Sequence, residues 1–140
     1  MKAVVSFASV AVAVLSVVGI VVAVPSTTLA ANAQDSAAGK TAFSKCQACH
    51  TVGPGAKNTL GPELNGLDGR RAGAAVGYQY SPALKAAGFT WDQASFSAFM
   101  QNPRAKVPNN KMAFAGMKDQ SEIASLWAYL SHFNTDGSAR

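Results

Sequence analysis

Apolar residues recur at helical spacing most clearly towards the C-terminal end. Ile123, Leu126, Trp127, Leu130 and Phe133 fall on one face of a 3.6-residue period and predict a helix. Asp119 precedes the stripe, and Glu122 stands three residues further on, which spaces an N-cap from an acidic residue in the first turn. A second stripe, Phe96, Phe99 and Met100, follows Thr90-Trp91-Asp92-Gln93, whose spacing is that of a capping box opened by Thr90; Pro103 should stop that helix. Ser81-Pro82 reads as N-cap followed by N1 of a short helix that Gly88 ends. Nearer the N-terminus, Asp35 or Ser36 can cap a helix carrying Ala38, Ala42 and Phe43. Gly39 inside that helix costs roughly 1 kcal/mol relative to Ala. The expected reason is close approach of another helix, so the Gly39/Phe43 face should meet the stripe of the last one.

Between Thr51 and Gly77 neither a helical nor a strand period survives. Gly53-Pro54-Gly55, Leu60-Gly61-Pro62 and Leu67-Asp68-Gly69 are turn signals. So long an irregular stretch is unusual in a domain that packs only on itself; it becomes reasonable if the loops wrap a bound group. The expected class is therefore all-α, with short helices and loops around a cofactor. The chain has 12 Gly and 6 Pro, and a small domain of this kind has limited core-building capacity. A macrocycle would supply much of the missing apolar core.

The first part of the chain is a different object. Lys2 precedes an uncharged run from Ala3 to Val24, and Ala31-Asn32-Ala33 fits a small-x-small cleavage pattern. This divides the chain into an export segment, 1–33, and one domain, 34–140. The apolar run exceeds the usual h-region of about 7–15 residues and is long enough to cross a bilayer. An uncleaved membrane anchor, with a linker to about Asp35, is the alternative. Both readings place the domain on the oxidising side of a membrane, in the periplasm, free or tethered. The formal net charge is +5, from scattered basic residues without an aromatic platform, which argues against nucleic-acid binding and suits an acidic protein partner.

Against this background the pentapeptide Cys46-Gln47-Ala48-Cys49-His50 carries the chemistry. C-x-x-C-H reads as a c-type haem attachment, with two thioether bonds from the thiols and the following His as an iron ligand. A thioredoxin-like dithiol would want a βαβ setting, whereas the preceding segment looks helical. A structural zinc site usually needs four ligands, and His132 is the one other Cys or His in the chain. A plain disulfide would leave His50 unexplained. Pro62, if near His50, offers a carbonyl that could accept the Nδ1–H and fix the ring. Trp91 should be buried with its indole N–H seeking a polar partner, for which a haem propionate is a candidate. A thioether suits the sixth iron position. Met100 belongs to a helical stripe and reads as core, Met117 sits beside Gly116, and Met112 follows a proline-led loop that could deliver it. His132 reads as a helix-end imidazole favoured by the dipole.

These residues resemble the class I cytochromes c, specifically the mitochondrial-like and bacterial cytochrome c2 group. The likeness spans Gly39 to Phe133 and rests on Gly39, Phe43, Cys46-x-x-Cys49-His50-Thr51-Val52, Gly61-Pro62-x-Leu64, Gly69-Arg70, Gly77-Tyr78-x-Tyr80-Ser81, Trp91, Asn102-Pro103, Lys111-Met112-x-Phe114-x-Gly116 and Leu126-x-x-Tyr129-Leu130. It implies one covalently attached haem c per chain with His50 and Met112 as axial ligands. It also implies Pro62 as acceptor of the ligand-His bond, and Arg70, Tyr80 and Trp91 around the propionates. Lys45, Arg104, Lys111 and Lys118 would belong to a positive ring at the haem edge. Phe99 stands where many relatives have a Tyr, Leu84 where an Asn is common, and Asn109-Asn110 where Gly-Thr is usual, so the distal side should have lost polar groups. The function implied is a monomeric one-electron carrier, not an enzyme. Its donor would be a cytochrome bc1-type complex, and its acceptor a terminal oxidase or photosynthetic reaction centre. A haem enzyme or gas-binding cytochrome with an exchangeable distal ligand is the rival.

Overall fold

The computed structural model describes residues 37–140. The export segment, its cleavage site and the cap at Asp35 or Ser36 lie outside the described residues. Helix α1 covers 37–43, followed by α2 (Pro82–Lys85), α3 (Gln93–Gln101), α4 (Pro103–Lys106) and α5 (Gln120–Ser131). Among the described residues the only β-pairing is two isolated bridges, Arg71 with Thr90 and Phe133 with Ala139.

The C-terminal stripe does build the central helix. The Asp119 side chain accepts the N–H groups of Ser121, at 2.8 Å, and Glu122, at 3.3 Å, quenching two of the orphan donors at the start of α5. Ile123, Leu126 and Leu130 are at most 1% exposed. The helix ends at Ser131, so Phe133 lies past it and packs edge-on against Tyr129, with ring centroids 5.3 Å apart. As expected, α1 crosses α5 at Gly39. A Cβ there would fall on the Ser125 carbonyl and on Cβ of Tyr129, while Phe43 packs on the Tyr129 ring at 5.7 Å. Only glycine lets the two backbones approach this closely.

Two helix boundaries differ from the sequence reading. Helix α3 is capped by Asp92 rather than Thr90: Asp92 accepts the Ser95 N–H at 2.7 Å, and Ser95 Oγ accepts the Asp92 N–H at 2.9 Å. Thr90 cannot start a helix because its backbone is extended in the bridge to Arg71. The Ser95 N–H bond to the Asp92 carboxyl is the main reason that its pKa lies below the usual range. As expected, α3 stops before Pro103, at Gln101, and Pro103 then opens α4 as its first residue. Asn102 caps it by accepting the Ala105 N–H at 3.0 Å, and the proline ring is fully buried. Helix α2 begins as expected at Ser81, whose hydroxyl accepts the Leu84 N–H, but runs only to Lys85.

The irregular stretch is held by side chains rather than by a ladder. Buried Asn65 donates to the Gly53 carbonyl at 3.0 Å and accepts the Gly53 N–H at 2.7 Å. The tail closes over this loop: Arg140 pairs with Asp68 at 3.2 Å.

Candidate functional site

Cys46 to His50 form a single tight turn after α1, with the N–H groups of Cys49 and His50 donating to the Cys46 carbonyl at 3.0 and 2.9 Å. This brings two free, half-buried thiols and one imidazole to the same wall of a cavity of about 370 Å³. His50 Nδ1 donates to the Pro62 carbonyl at 2.8 Å. A carbonyl can only accept, so this bond fixes the tautomer and leaves Nε2 with its lone pair. Burial pushes the His50 pKa down, opposed by the Pro62 hydrogen bond, and the Arg70 charge adds to the depression. The surroundings therefore favour the neutral ring, the form that ligates a metal. Gly61 makes room for it, since a Cβ at that position would collide with the imidazole. Burial raises the Cys46 pKa, partly offset by Lys45.

The cavity interior is apolar. Leu64, Leu67, Phe96, Phe99, Leu126 and Leu130 line it, so the core stripes of α3 and α5 double as its walls. Leu84 lines it too. Met112 is half-buried and lines the cavity; so does Met100, 5% exposed on α3. Met117 is buried in the core and does not reach it. His132 caps the end of α5, exposed and away from the cavity. The Asn109-Asn110 pair corrects one expectation: Asn110 keeps a polar group on the cavity, with its amide fully engaged by backbone.

Arg70, Tyr80 and Trp91 also come together on the lining. Paired backbone explains why two of them meet: Trp91 N–H donates to the Arg70 carbonyl and Gly69 N–H to the Trp91 carbonyl, each at 2.9 Å. Trp91 is packed edge-on by Phe89 and Phe99, at 4.8 and 5.2 Å. Tyr80 packs edge-on against Tyr78 at 4.7 Å, and burial raises its pKa, opposed mainly by Arg70. The Arg70 guanidinium is held on one side by Glu63 Oε1 at 2.7 Å, the Asn65 carbonyl at 3.0 Å and the Glu63 carbonyl at 2.9 Å. Its Nε–H is buried and has no partner. An orphaned buried donor of this kind costs roughly 1–3 kcal/mol.

Two thiols and a neutral imidazole on one wall, an apolar interior, and an unmet guanidinium N–H match a flat apolar macrocycle that carries carboxylates at one edge. The residues present therefore fit a haem. Residues 36–134 match the family model described as cytochrome c. The chain belongs to the cytochrome c family. It is 57% identical over 106 residues to cytochrome c-550 of Nitrobacter winogradskyi, covering 76% of this chain and 97% of that protein. It is 48% identical over 110 residues to cytochrome c2 of Blastochloris viridis, covering 79% and 87% respectively. The solved structure of cytochrome cH from Methylobacterium extorquens is similar at a TM-score of 0.64 and 44% identity, covering 69% of this chain and 96% of that one.

This cytochrome thus has the class I fold and, as a member of this family, a covalently held haem c, whose C-x-x-C-H attachment motif Cys46 and Cys49 fit. Sequence reasoning missed Glu63 and Asn65, which hold Arg70, and the hydrogen bonds of Asn110. Glu63 and Asn65 sit in a stretch without period, and nothing in their spacing marks them as partners of Arg70.

Proposed function

We propose that this cytochrome is a periplasmic one-electron carrier whose iron is ligated by His50 and Met112. The observation that carries the reading is the meeting of a tautomer-fixed, neutral His50 and the loop residue Met112 on one apolar cavity. When bound, the haem supplies the one-electron iron couple. The chain does the rest. Pro62 keeps Nε2 presented, and the phenyl ring of Phe99 and side chain of Leu84 hold water away from the thioether. Low polarity favours the less charged, reduced centre. Arg70 Nε, with Tyr80 and Trp91 on the same lining, would receive a propionate and offset its charge. Small rearrangement between the two oxidation states would follow from walls built of the packed core stripes of α3 and α5.

The partners proposed are membrane redox complexes: a cytochrome bc1-type donor, and a terminal oxidase or photosynthetic reaction centre as acceptor, met by a monomer. Arg104, Lys111 and Lys118 are exposed and make no ion pair among the described residues. Lys45 differs, because its ammonium pairs with Glu122 of α5, so it steers less than the other three. Attraction through exposed charges decays beyond about 10 Å at 0.1 M salt. The second-order rate with an isolated acceptor complex should therefore fall as salt rises, and the double variant Arg104→Glu/Lys118→Glu should slow it several-fold at low salt with an unchanged spectrum. A rate in stopped flow that is flat or climbs with salt contradicts this docking mode. Release by cleavage after Ala33 completes the proposal; N-terminal sequencing of the mature protein should begin at Gln34, and a start before Ala23 in the membrane fraction would favour the tethered form instead.

A further inference from the structure

We infer that Asn110 is the positioning residue that holds Met112 in place for the iron. The inference rests on the Met112 ligation proposed above. No helix or strand organises the backbone around Met112, and its N–H has no carbonyl partner among the described residues. That N–H donates instead to Asn110 Oδ1 at 2.9 Å. The same amide donates from Nδ2 to the carbonyls of Pro103, at 2.8 Å, and Val107, at 2.7 Å. One planar side chain thus ties the Met112 backbone to both ends of α4. Helix α4 is itself anchored by fully buried Pro103 and by the Asn102 cap.

The turn that allows this is also built from asparagine. Asn109, at φ 64°, is the one non-glycine residue with positive φ among the described residues, and Asn tolerates that left-handed region better than most side chains. The reversal at Asn109 sets up the Asn110 bonds. The consequence is energetic. An added ligand competing for the iron binds in proportion to the fraction of molecules in which Met112 has let go, so each bond that holds the loop lowers that fraction.

The test uses the oxidised full-length holoprotein titrated with imidazole, with the weak sulfur-to-iron band as a parallel readout. Asn110→Ala should bind imidazole about tenfold more tightly, equivalent to ~1.4 kcal/mol. Asn110→Ser keeps one hydroxyl acceptor but cannot span both carbonyls, and should shift affinity by a smaller factor; it also serves if the alanine variant does not fold. Asn109→Gly keeps the turn and should leave affinity unchanged. Asp119→Ala, which removes the α5 cap and does not line the cavity, should lower the unfolding midpoint without tightening imidazole binding. Equal affinities in wild type and the Asn110 variants, or an equal shift in Asp119→Ala, would overturn the inference while leaving Met112 ligation standing. A wild-type protein with no sulfur-to-iron band would instead overturn the ligation reading and this inference with it.

Discussion

Met112→Ala should abolish the sulfur-to-iron band and lower the reduction potential by more than the ~59 mV that corresponds to a tenfold change in a one-electron equilibrium. The reason is the ligand. A neutral thioether favours the reduced iron over the oxidised one, and its replacement by water or an opportunistic donor removes that preference. Met100 is the stringent control, because it too lines the cavity. It stands on α3, 5% exposed, and its carbonyl accepts the Met117 N–H at 2.8 Å. Met100→Leu conserves volume within a packed helix face and should cost less than ~1.5 kcal/mol, with band and potential retained. Redox titration and optical spectra of the two variants check both statements. Loss of the band in Met100→Leu with its survival in Met112→Ala would reverse the ligand assignment.

The second large effect should come from Arg70→Leu. Its side chain is 14% exposed and that of Glu63 21%, so the pair is largely screened from solvent. Removing the guanidinium leaves Glu63 Oε1 and two carbonyls without their donor, the Asn65 N–H still holding Oε2. Breaking one partner of such a buried pair is expected to cost about 2–4 kcal/mol, out of a total stability of about 5–15 kcal/mol for a domain. Denaturant unfolding should show this as a lower midpoint. Loss of a positive charge beside a propionate should also favour oxidised iron and lower the potential. A variant with the wild-type midpoint and potential would show that Arg70 does neither job.

The parts legible in the sequence are those written in local chemistry. The α5 stripe, the Ser81-Pro82 start and the Asp119 cap each depend on residues within one or two turns, and the structure has them. Gly39 was legible for a different reason: a costly residue inside a helix demands a neighbour, and α5 supplies it. Two of the failures involve partners distant in the chain. Thr90 has the spacing of a cap, but Arg71 claims its backbone from another loop, and the cap passes to Asp92. Glu122 has the spacing of a first-turn box residue, yet it turns to Lys45 across the interface between α5 and the attachment turn. The thiols and imidazole were visible because attachment chemistry fixes their spacing. The three bonds on Arg70 and the three on Asn110 were not: their partners lie only two to seven residues away, but in loops without a period nothing marks which group a side chain will reach.

The central claim, a c-type haem ligated by His50 and Met112 in a closed apolar site, is tested most directly by the optical spectrum of the oxidised wild-type holoprotein at neutral pH. The account predicts a low-spin spectrum with the weak sulfur-to-iron band, unaltered by millimolar azide. A high-spin spectrum, or a low-spin one without the band, would contradict it and point to an iron whose sixth position is open or held by another residue.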